Sequence, residues 1–233
     1  MFCVRNETII KNKRITNDIY LLKIKNTEPV KDGQFFMVKT LNSGDGLFRP
    51  ISVFENRNGE LGFLYQNRGK MTNEMTHLKK GDHILLHGPH GNGFPEIKNN
   101  LCLIGGGIGA APLYMPALNL KTKLYIGIKS GIYSDEEIEN IHNLFHDVHV
   151  YIKIGGLITD DIDFKSYETV FACGPVPMMR TVAQKHKNTY VSLERRMGCG
   201  IGACLSCSVD IGGKMYTVCK DGPVFKGEDI QWE

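Results

Sequence analysis

Short hydrophobic runs alternate with turn-forming segments from the start of the chain to Pro95. The hydrophobic and β-branched runs cover residues 19–25, 34–40, 51–55, 61–66 and 83–87. Turn signals such as Lys31-Asp32-Gly33 and Asn58-Gly59 separate them. This pattern predicts a small antiparallel β barrel, with one helix over 73–79 before the last strand.

The pattern changes in the middle of the chain, where short hydrophobic strands alternate with longer helical stretches. The predicted strands cover residues 101–104, 124–128, 148–152, 170–173 and 190–193. The predicted helices cover residues 110–118, 135–145 and 176–186. Such alternation predicts an α/β domain with a doubly wound, mostly parallel sheet. Sheets of this kind bind ligands at the carboxyl ends of their strands.

The last part of the chain, 194–233, has a hairpin signal at 210–214 and a concentration of cysteines. A segment of about forty residues buries little hydrophobic core by itself, so we expect a bound metal cluster to help it fold. The sequence therefore predicts three domains: a barrel over 1–97, an α/β domain over 98–193 and a cysteine-bearing segment over 194–233.

Composition narrows the class of protein. The 233 residues are 42% hydrophobic and 23% charged, which is ordinary for a globular protein. The formal net charge of +3 is spread along the chain, so no nucleic-acid partner is expected. No hydrophobic run reaches membrane-spanning length, and the first ten residues lack the apolar core of an export signal. We expect a soluble, cytoplasmic protein with no membrane partner.

Four of the seven cysteines follow the spacing C-x4-C-x2-C with one more cysteine downstream. They are Cys199, Cys204, Cys207 and Cys219. This spacing is the plant-type ligand pattern of a [2Fe–2S] cluster. Three glycines between residues 198 and 202 allow the backbone to curl around such a cluster and bring N–H groups towards its sulfurs. The pattern predicts a redox centre.

Other roles for these cysteines remain open at this point. A zinc site usually has two close C-x2-C pairs, whereas only Cys204 and Cys207 form one here. Structural disulfides need an oxidising compartment, which the N-terminus does not support. We interpret the remaining cysteines, Cys3, Cys102 and Cys173, as small buried hydrophobic residues, with Cys173 the one most open to another role.

Two glycine-containing motifs follow predicted strands of the middle domain. The first contains Gly105, Gly106, Gly107 and Gly109 and fits G-x-G-x-x-A. A glycine-rich turn between a strand and a helix suits a dinucleotide phosphate. The usual acidic residue about twenty positions later is missing, which disfavours an ordinary Rossmann dehydrogenase. The second motif, Cys173-Gly174-Pro175, opens a helix at another strand end, where an ordinary turn with a buried cysteine would look the same.

Three barrel segments are candidates for binding an anionic ligand. Arg49-Pro50-Ile51-Ser52 opens a strand with a permanent cation, a rigid bend and a hydroxyl, which suit the diphosphate and ring of a flavin. Leu64-Tyr65-Gln66 ends a strand, and Gly69-Lys70-Met71-Thr72 forms a turn before a helix. Taken singly, each segment is equally typical of a plain strand start or a capped helix.

The segments RPIS, LYQ, GKMT, GPHGNGF, GGGIGAAP, CGPVPMM and GCGIGACLSC, in this order, resemble one family closely. It is the electron-transfer subunit of the NAD-dependent (type B) dihydroorotate dehydrogenase, within the ferredoxin reductase superfamily. The resemblance covers nearly the whole chain. It implies that the barrel segments, Met71 and Thr72 included, bind FAD, that the two glycine motifs bind NAD(H), and that the four cysteines bind a [2Fe–2S] cluster.

The resemblance also implies a function. NADH would reduce FAD, and single electrons would pass through the cluster to an FMN-containing catalytic subunit that oxidises dihydroorotate in pyrimidine biosynthesis. The assembly would be a heterotetramer with two of each subunit, and this chain would carry no catalytic acid–base residues. The alternatives are a related subunit of a sulfide dehydrogenase or a ferredoxin:NADP reductase complex, and a non-catalytic redox or zinc module.

The sequence departs from the family pattern in the barrel and in the cysteine segment. Gln66 and Met71 stand where family members commonly have Arg and Gly. These changes remove a charged contact and a close backbone approach to the flavin phosphates, so we expect a lower affinity for FAD. The interval between Cys207 and Cys219 is also short, which implies a trimmed hairpin with an intact ligand set.

Overall fold

The computed structural model describes residues 4–26, 28–41, 44, 46–97 and 100–232. It contains a closed six-stranded barrel, a six-stranded sheet and a two-stranded sheet. The predicted antiparallel barrel and the predicted α/β sheet are therefore confirmed. Within the described ranges, no helix is both long enough and apolar enough to cross a membrane.

Six antiparallel strands form the barrel. They are β1 (Arg5–Arg14), β2 (Ile19–Lys25), β3 (Phe35–Thr40), β4 (Arg49–Arg57), β5 (Glu60–Gln66) and β6 (His83–His90), with helix α1 (Lys70–Thr76) between β5 and β6. Neighbours around the barrel follow the order β1-β2-β5-β4-β3-β6. No predicted strand covers β1, because its residues are mostly polar and partly exposed, and Ile9 is its one fully buried side chain. Helix α1 begins three residues earlier than predicted.

The described residues after β6 form eight strands and three α-helices. The strands are β7 (Leu101–Gly106), β8 (Leu124–Ile128), β9 (Val150–Ile154), β10 (Thr169–Cys173), β11 (Thr189–Ser192), β12 (Ser208–Ile211), β13 (Lys214–Thr217) and β14 (Val224–Lys226). The helices are α2 (Tyr114–Leu120), α3 (Asp135–Leu144) and α4 (Val176–Lys185). The helix predicted from residue 110 differs in form, because a 3-10 helix over Gly107–Leu113, with Pro112 inside it, precedes α2.

The six-stranded sheet has the order β14-β11-β10-β7-β8-β9. Strands β7 to β11 run parallel to one another, as predicted for a doubly wound sheet. Strand β14 lies antiparallel to β11 at the edge. Because β8 lies on one side of β7 and β10 on the other, the strand order reverses next to β7. That reversal is where such sheets bind ligands.

The cysteine-bearing segment shares its core with the rest of the protein. Strands β12 and β13 form the expected hairpin around Gly212 and Gly213, both with positive φ, while β14 joins the larger sheet. Val218 and Phe225 of this segment belong to the same buried cluster as Val191 of β11. The segment is thus ordered by packing as well as by any cluster it binds. The division into domains at residues 97 and 193 stays a prediction.

A network of charged groups joins the barrel to the α/β sheet. The Glu55 carboxylate is only 3% exposed and forms salt bridges with Lys23 Nζ at 2.6 Å and with Arg57 Nε at 2.9 Å. Arg57 Nη2 lies 2.5 Å from the Asp147 carboxylate, which follows α3. The Arg57 guanidinium lowers the pKa of Asp147. The buried Glu55 carboxylate therefore orients the arginine that spans the two parts.

We predict that Glu55→Ala lowers the free energy of unfolding by about 3 kcal/mol, because two cations lose a buried partner. The control is Glu60→Ala, which removes the more exposed partner of Lys23 at 3.2 Å. Its effect should stay below about 1 kcal/mol. Urea denaturation of both variants measures the difference, and equal losses would contradict a special role for the buried carboxylate.

Candidate functional site

A cavity of about 380 Å³ lies between the open end of the barrel, the glycine-rich loop after β7 and the start of the cysteine-bearing segment. This volume is within the usual range for a small-molecule site. All nine barrel residues proposed from the sequence line it. They are Arg49, Pro50, Ile51, Ser52, Leu64, Tyr65, Gln66, Met71 and Thr72. The structure brings them together, and their role in binding FAD stays a prediction.

The barrel register explains why three separate segments meet there. Strands β4 and β5 are antiparallel and pair Val53 with Phe63, so the first residues of β4 lie beside the last residues of β5. Helix α1 begins four residues after β5 ends. The start of one strand, the end of its neighbour and the start of a helix therefore share one end of the barrel.

The cavity is rich in cations. Besides Arg49, its lining includes Arg68, Lys70 and Arg195, and Glu194 is the one acidic residue among the described lining residues. Arginine and lysine side chains are the usual partners of phosphate oxygens. Lys70 belongs to the Gly69–Thr72 turn that the sequence already marked as a candidate, whereas Arg68 and Arg195 are additional. The available signal for Arg68 was its position beside that turn.

Two motif side chains are held by the barrel rather than extended freely into the cavity. The Gln66 side-chain amide donates a hydrogen bond to the Asp18 carboxylate, which also accepts one from the Tyr133 hydroxyl at 3.0 Å. Met71 is only 1% exposed, and its side chain belongs to the barrel core. Met71 therefore packs in the barrel core and also contributes to the lining of the cavity.

The two glycine motifs of the α/β sheet pack directly against each other. Strands β7 and β10 are parallel neighbours, with Gly105 opposite Cys173. A Cβ atom on Gly109 would lie 2.4 Å from the carbonyl oxygen of Cys173, and one on Gly174 would lie 2.8 Å from Gly106 Cα. Any side chain at Gly109 or Gly174 would force these loops apart. Pro175 follows as the N-cap of α4.

Gly107 differs from the other glycines of its loop. It has a φ of +54°, and a Cβ there would meet nothing within 4 Å. Its backbone is thus open, at the strand-order reversal where a dinucleotide is expected. Ile108, Ala111 and Pro112 of the same loop line the cavity. The candidate nicotinamide loop and the candidate flavin segments therefore face a common space.

The four cysteines form two pairs, in each of which the backbone amide of one residue donates to the sulfur of the other. Cys204 N donates to the Cys199 sulfur at 3.4 Å, and Cys219 N donates to the Cys207 sulfur at 3.5 Å. The first pair is at the surface, with Cys204 exposed, whereas Cys207 and Cys219 are each 1% exposed. Two irons held by four thiolates can take two ligands each, so this arrangement fits a [2Fe–2S] cluster.

Across the described parts of the chain, no group of three or more His, Cys, Asp or Glu side chains is arranged around one ion. The Cys204 and Cys219 thiols differ in acidity. Hydrogen bonding by Ser206, first from its hydroxyl, lowers the pKa of Cys204 to about 6, whereas burial raises the pKa of Cys219 to about 12.

The other described cysteines are buried in the sheet. Cys102 and Cys173 are 0% and 2% exposed, and burial raises the pKa of the Cys102 thiol to about 12. This burial matches their interpretation as small hydrophobic residues. Cys3 lies outside the described residues.

The cysteine loop lies against the barrel beside the cavity. A Cβ atom on Gly200, which has a φ of +74°, would lie 2.6 Å from Met37 Cγ and 3.5 Å from His90 Nε2. Met197, two residues before Cys199, lines the cavity. Only a short stretch of chain thus separates the wall of the cavity from the first predicted cluster ligand.

Family models match both ends of the chain. The oxidoreductase FAD-binding domain matches residues 6–94. The iron–sulfur cluster binding domain of dihydroorotate dehydrogenase B matches residues 194–231. The second match favours iron and sulfur over zinc, which the cysteine spacing had left open.

Curated relatives match nearly the full chain. A dihydroorotate dehydrogenase B (NAD(+)) electron transfer subunit from Clostridium acetobutylicum is 34% identical over 238 residues, covering 96% of each chain. The protein of the same description from Clostridium perfringens is 35% identical, covering 95% of this chain and 96% of its own.

Solved structures show the same fold. One chain of an NADH-dependent reduced ferredoxin-NADP oxidoreductase, described for flavin-based electron bifurcation, has a TM-score of 0.80 and 28% identity. The match covers 97% of this chain and 89% of that one. A ferredoxin reductase of carbazole 1,9a-dioxygenase has a TM-score of 0.64 at 18% identity, covering 79% of this chain and 65% of that one, and supports the fold alone.

We predict that Arg49→Ala weakens retention of FAD, because the cavity loses a cation placed for the diphosphate. The Arg49 guanidinium also donates to the carbonyl oxygens of Leu47 and Phe48 at 3.2 and 3.3 Å, which orients it at the start of β4. FAD content after gel filtration is the measurement. Arg14→Ala is the control, because Arg14 is absent from the described lining of the cavity. Full FAD occupancy in Arg49→Ala would contradict this role.

Proposed function

This chain belongs to the family of dihydroorotate dehydrogenase B (NAD(+)) electron transfer subunits, and we propose on that basis that it transfers electrons from NADH to a dihydroorotate-oxidising catalytic subunit. FAD and a [2Fe–2S] cluster are the carriers. The observation that supports this most directly is the shared cavity. All nine predicted barrel residues line it, the glycine-rich loop closes one side, and Met197 connects it to the cysteine loop.

Different residues of the cavity bind the two nucleotides, FAD and NAD(H). Arg49, with Arg68 and Lys70 nearby, supplies positive charge for the FAD diphosphate. The open backbone at Gly107 lies where the nicotinamide nucleotide approaches from the sheet. When bound, FAD accepts the hydride of NADH and returns its electrons singly, which the cluster can carry. No side chain of this chain needs to act as a catalytic acid or base.

The outlet of electrons lies at the exposed thiol pair. Leu205 directly follows the exposed Cys204 and is itself 62% exposed, with a φ of +58° that only glycine adopts without cost. The Ser208 amide and hydroxyl both donate to the Leu205 carbonyl oxygen, at 3.2 and 2.7 Å, which stabilises this turn. An apolar side chain held outward beside a ligand suits contact with an apolar patch on the electron acceptor.

We propose the further details as follows. The catalytic partner contains FMN and pairs with this chain in a heterotetramer of two of each subunit. The complex works in the cytoplasm, in pyrimidine biosynthesis. Residues 1–97 bind FAD, residues 98–193 bind NAD(H), and residues 194–233 bind the cluster. The family models that match residues 6–94 and 194–231 support the FAD and cluster assignments, and the resemblance of the sequence to the family implies the others.

A subunit of a ferredoxin-NADP oxidoreductase complex is the second candidate function. The observation that favours it is the structural match with a TM-score of 0.80 over 97% of this chain. The two candidates share carriers and differ in the partner. Electron delivery to a dihydroorotate-oxidising subunit, compared with delivery to ferredoxin, separates them.

We predict that Cys204→Ser leaves the reduction of FAD by NADH largely intact and abolishes transfer to the partner, because one cluster ligand is lost. Anaerobic NADH titration measures the first step, and NAD-linked orotate formation by the assembled complex measures the second. Cys102→Ala is the control for the loss of a thiol elsewhere. Unchanged orotate formation by Cys204→Ser would overturn the proposed function.

We also predict that Leu205→Asp weakens docking of the partner at least tenfold, because a charge replaces the apolar contact, while iron content and NADH-dependent FAD reduction persist. The matched control is Ile154→Asp. Ile154 is 52% exposed on β9, the edge strand opposite β14. Titration of the partner into each variant measures affinity. Equal affinities for wild type and Leu205→Asp would exclude this docking surface.

A further inference from the structure

Ser206 is placed to act on the sulfur of the exposed cluster ligand. Its hydroxyl oxygen lies 3.1 Å from the Cys204 sulfur, inside the loop that contains three of the four cysteines. Either atom of this pair can donate in the free thiol. A thiolate bound to iron has no proton, so with a cluster present the Ser206 hydroxyl must be the donor.

The backbone orients this hydroxyl towards the sulfur. The Gly198 amide donates to the Ser206 oxygen at 3.1 Å and occupies one of its lone pairs. The Ser206 proton then has two acceptors, the Cys204 sulfur at 3.1 Å and the Arg196 carbonyl oxygen at 3.4 Å. The sulfur is the nearer acceptor, and as a thiolate it is also the charged one, so it receives the stronger hydrogen bond.

The other cluster sulfurs receive a different kind of donor. Backbone amides of Ile201, Gly202, Cys204 and Cys219 donate to them at 3.1 to 3.5 Å. Among the hydrogen bonds in the described residues that the four predicted ligand sulfurs accept from backbone amides or hydroxyl groups, the one from Ser206 alone comes from a side chain. It can therefore be removed by substitution with little change to the path of the backbone.

We propose that Ser206 is a positioning residue whose hydrogen bond to the Cys204 sulfur raises the reduction potential of the cluster. In a bound cluster, reduction by one electron, which reduced FAD would lose, would form and break no bond and would add negative charge to the ligand sulfurs. A donor on one of these sulfurs would therefore stabilise the reduced form more than the oxidised form. This inference rests on the proposed function, because it requires the four cysteines to hold a [2Fe–2S] cluster.

The test compares the midpoint potentials of full-length, FAD-containing variants with equal iron and sulfide content, by redox titration followed with EPR. Ser206→Ala is expected to shift the equilibrium about tenfold towards the oxidised cluster, which is about 59 mV more negative for a one-electron couple. Ser206→Thr keeps the hydroxyl and should keep the wild-type potential. Ser208→Ala is the matched control, because its hydroxyl donates to the Leu205 carbonyl oxygen at 2.7 Å.

The outcomes separate the inference from the function on which it depends. An unchanged potential in cluster-loaded Ser206→Ala, or an equal shift in Ser208→Ala, would overturn the role of Ser206 alone. A wild-type chain that binds no iron and sulfide would overturn the proposed function as well. If Ser206→Ala fails to load its cluster, Ser206→Thr is compared with Ser206→Val, because threonine and valine are isosteric and only threonine has a hydroxyl. Equal potentials in that pair would reject the proposal.

Discussion

The cysteine loop can lie against the barrel only because residue 200 has no side chain. Gly200 combines a φ of +74° with a contact so close that a Cβ would lie 2.6 Å from Met37 Cγ. Any other residue would force Met37 or the loop that contains Cys199, the first predicted ligand, to shift, and its backbone would be strained at this positive φ. This contact keeps the path from the cavity to the cysteines short. A short path matters because electron transfer requires the two carriers to be near each other.

A shared hydrophobic core maintains that contact. Phe35 and Met37 of the barrel belong to the same buried cluster as Cys207, Cys219 and Phe225 of the last segment. Strand β14 adds the segment to the edge of the larger sheet, so the segment does not rely on the cysteines alone for its position. Cys207 and Cys219 are consequently packed into this core, whereas Cys199 is half-buried and Cys204 is exposed to solvent.

Local pattern was enough to predict most of the elements, and it failed where tertiary packing replaces a local signal. Strand β1 is polar over most of its length because one of its faces meets solvent, so no hydrophobic run marks it. The 3-10 helix at Gly107–Leu113 replaces the predicted start of an α-helix. Arg195 joins the cavity across a long interval of sequence, so no local motif indicates it.

Residue chemistry and order along the chain were sufficient to predict the barrel, the parallel sheet, the cysteine ligand pattern and the family. Cysteine spacing, glycine turns and hydrophobic periodicity are local properties, so they can be recognised in the amino-acid sequence alone. The tertiary structure decided how these parts meet: one cavity shared by the barrel segments and the glycine-rich loop, thiols divided into a buried and an exposed pair, and Ser206 placed against Cys204. Such arrangements depend on contacts between residues far apart in the chain. Strand pairing and side-chain packing in the folded protein determine these contacts.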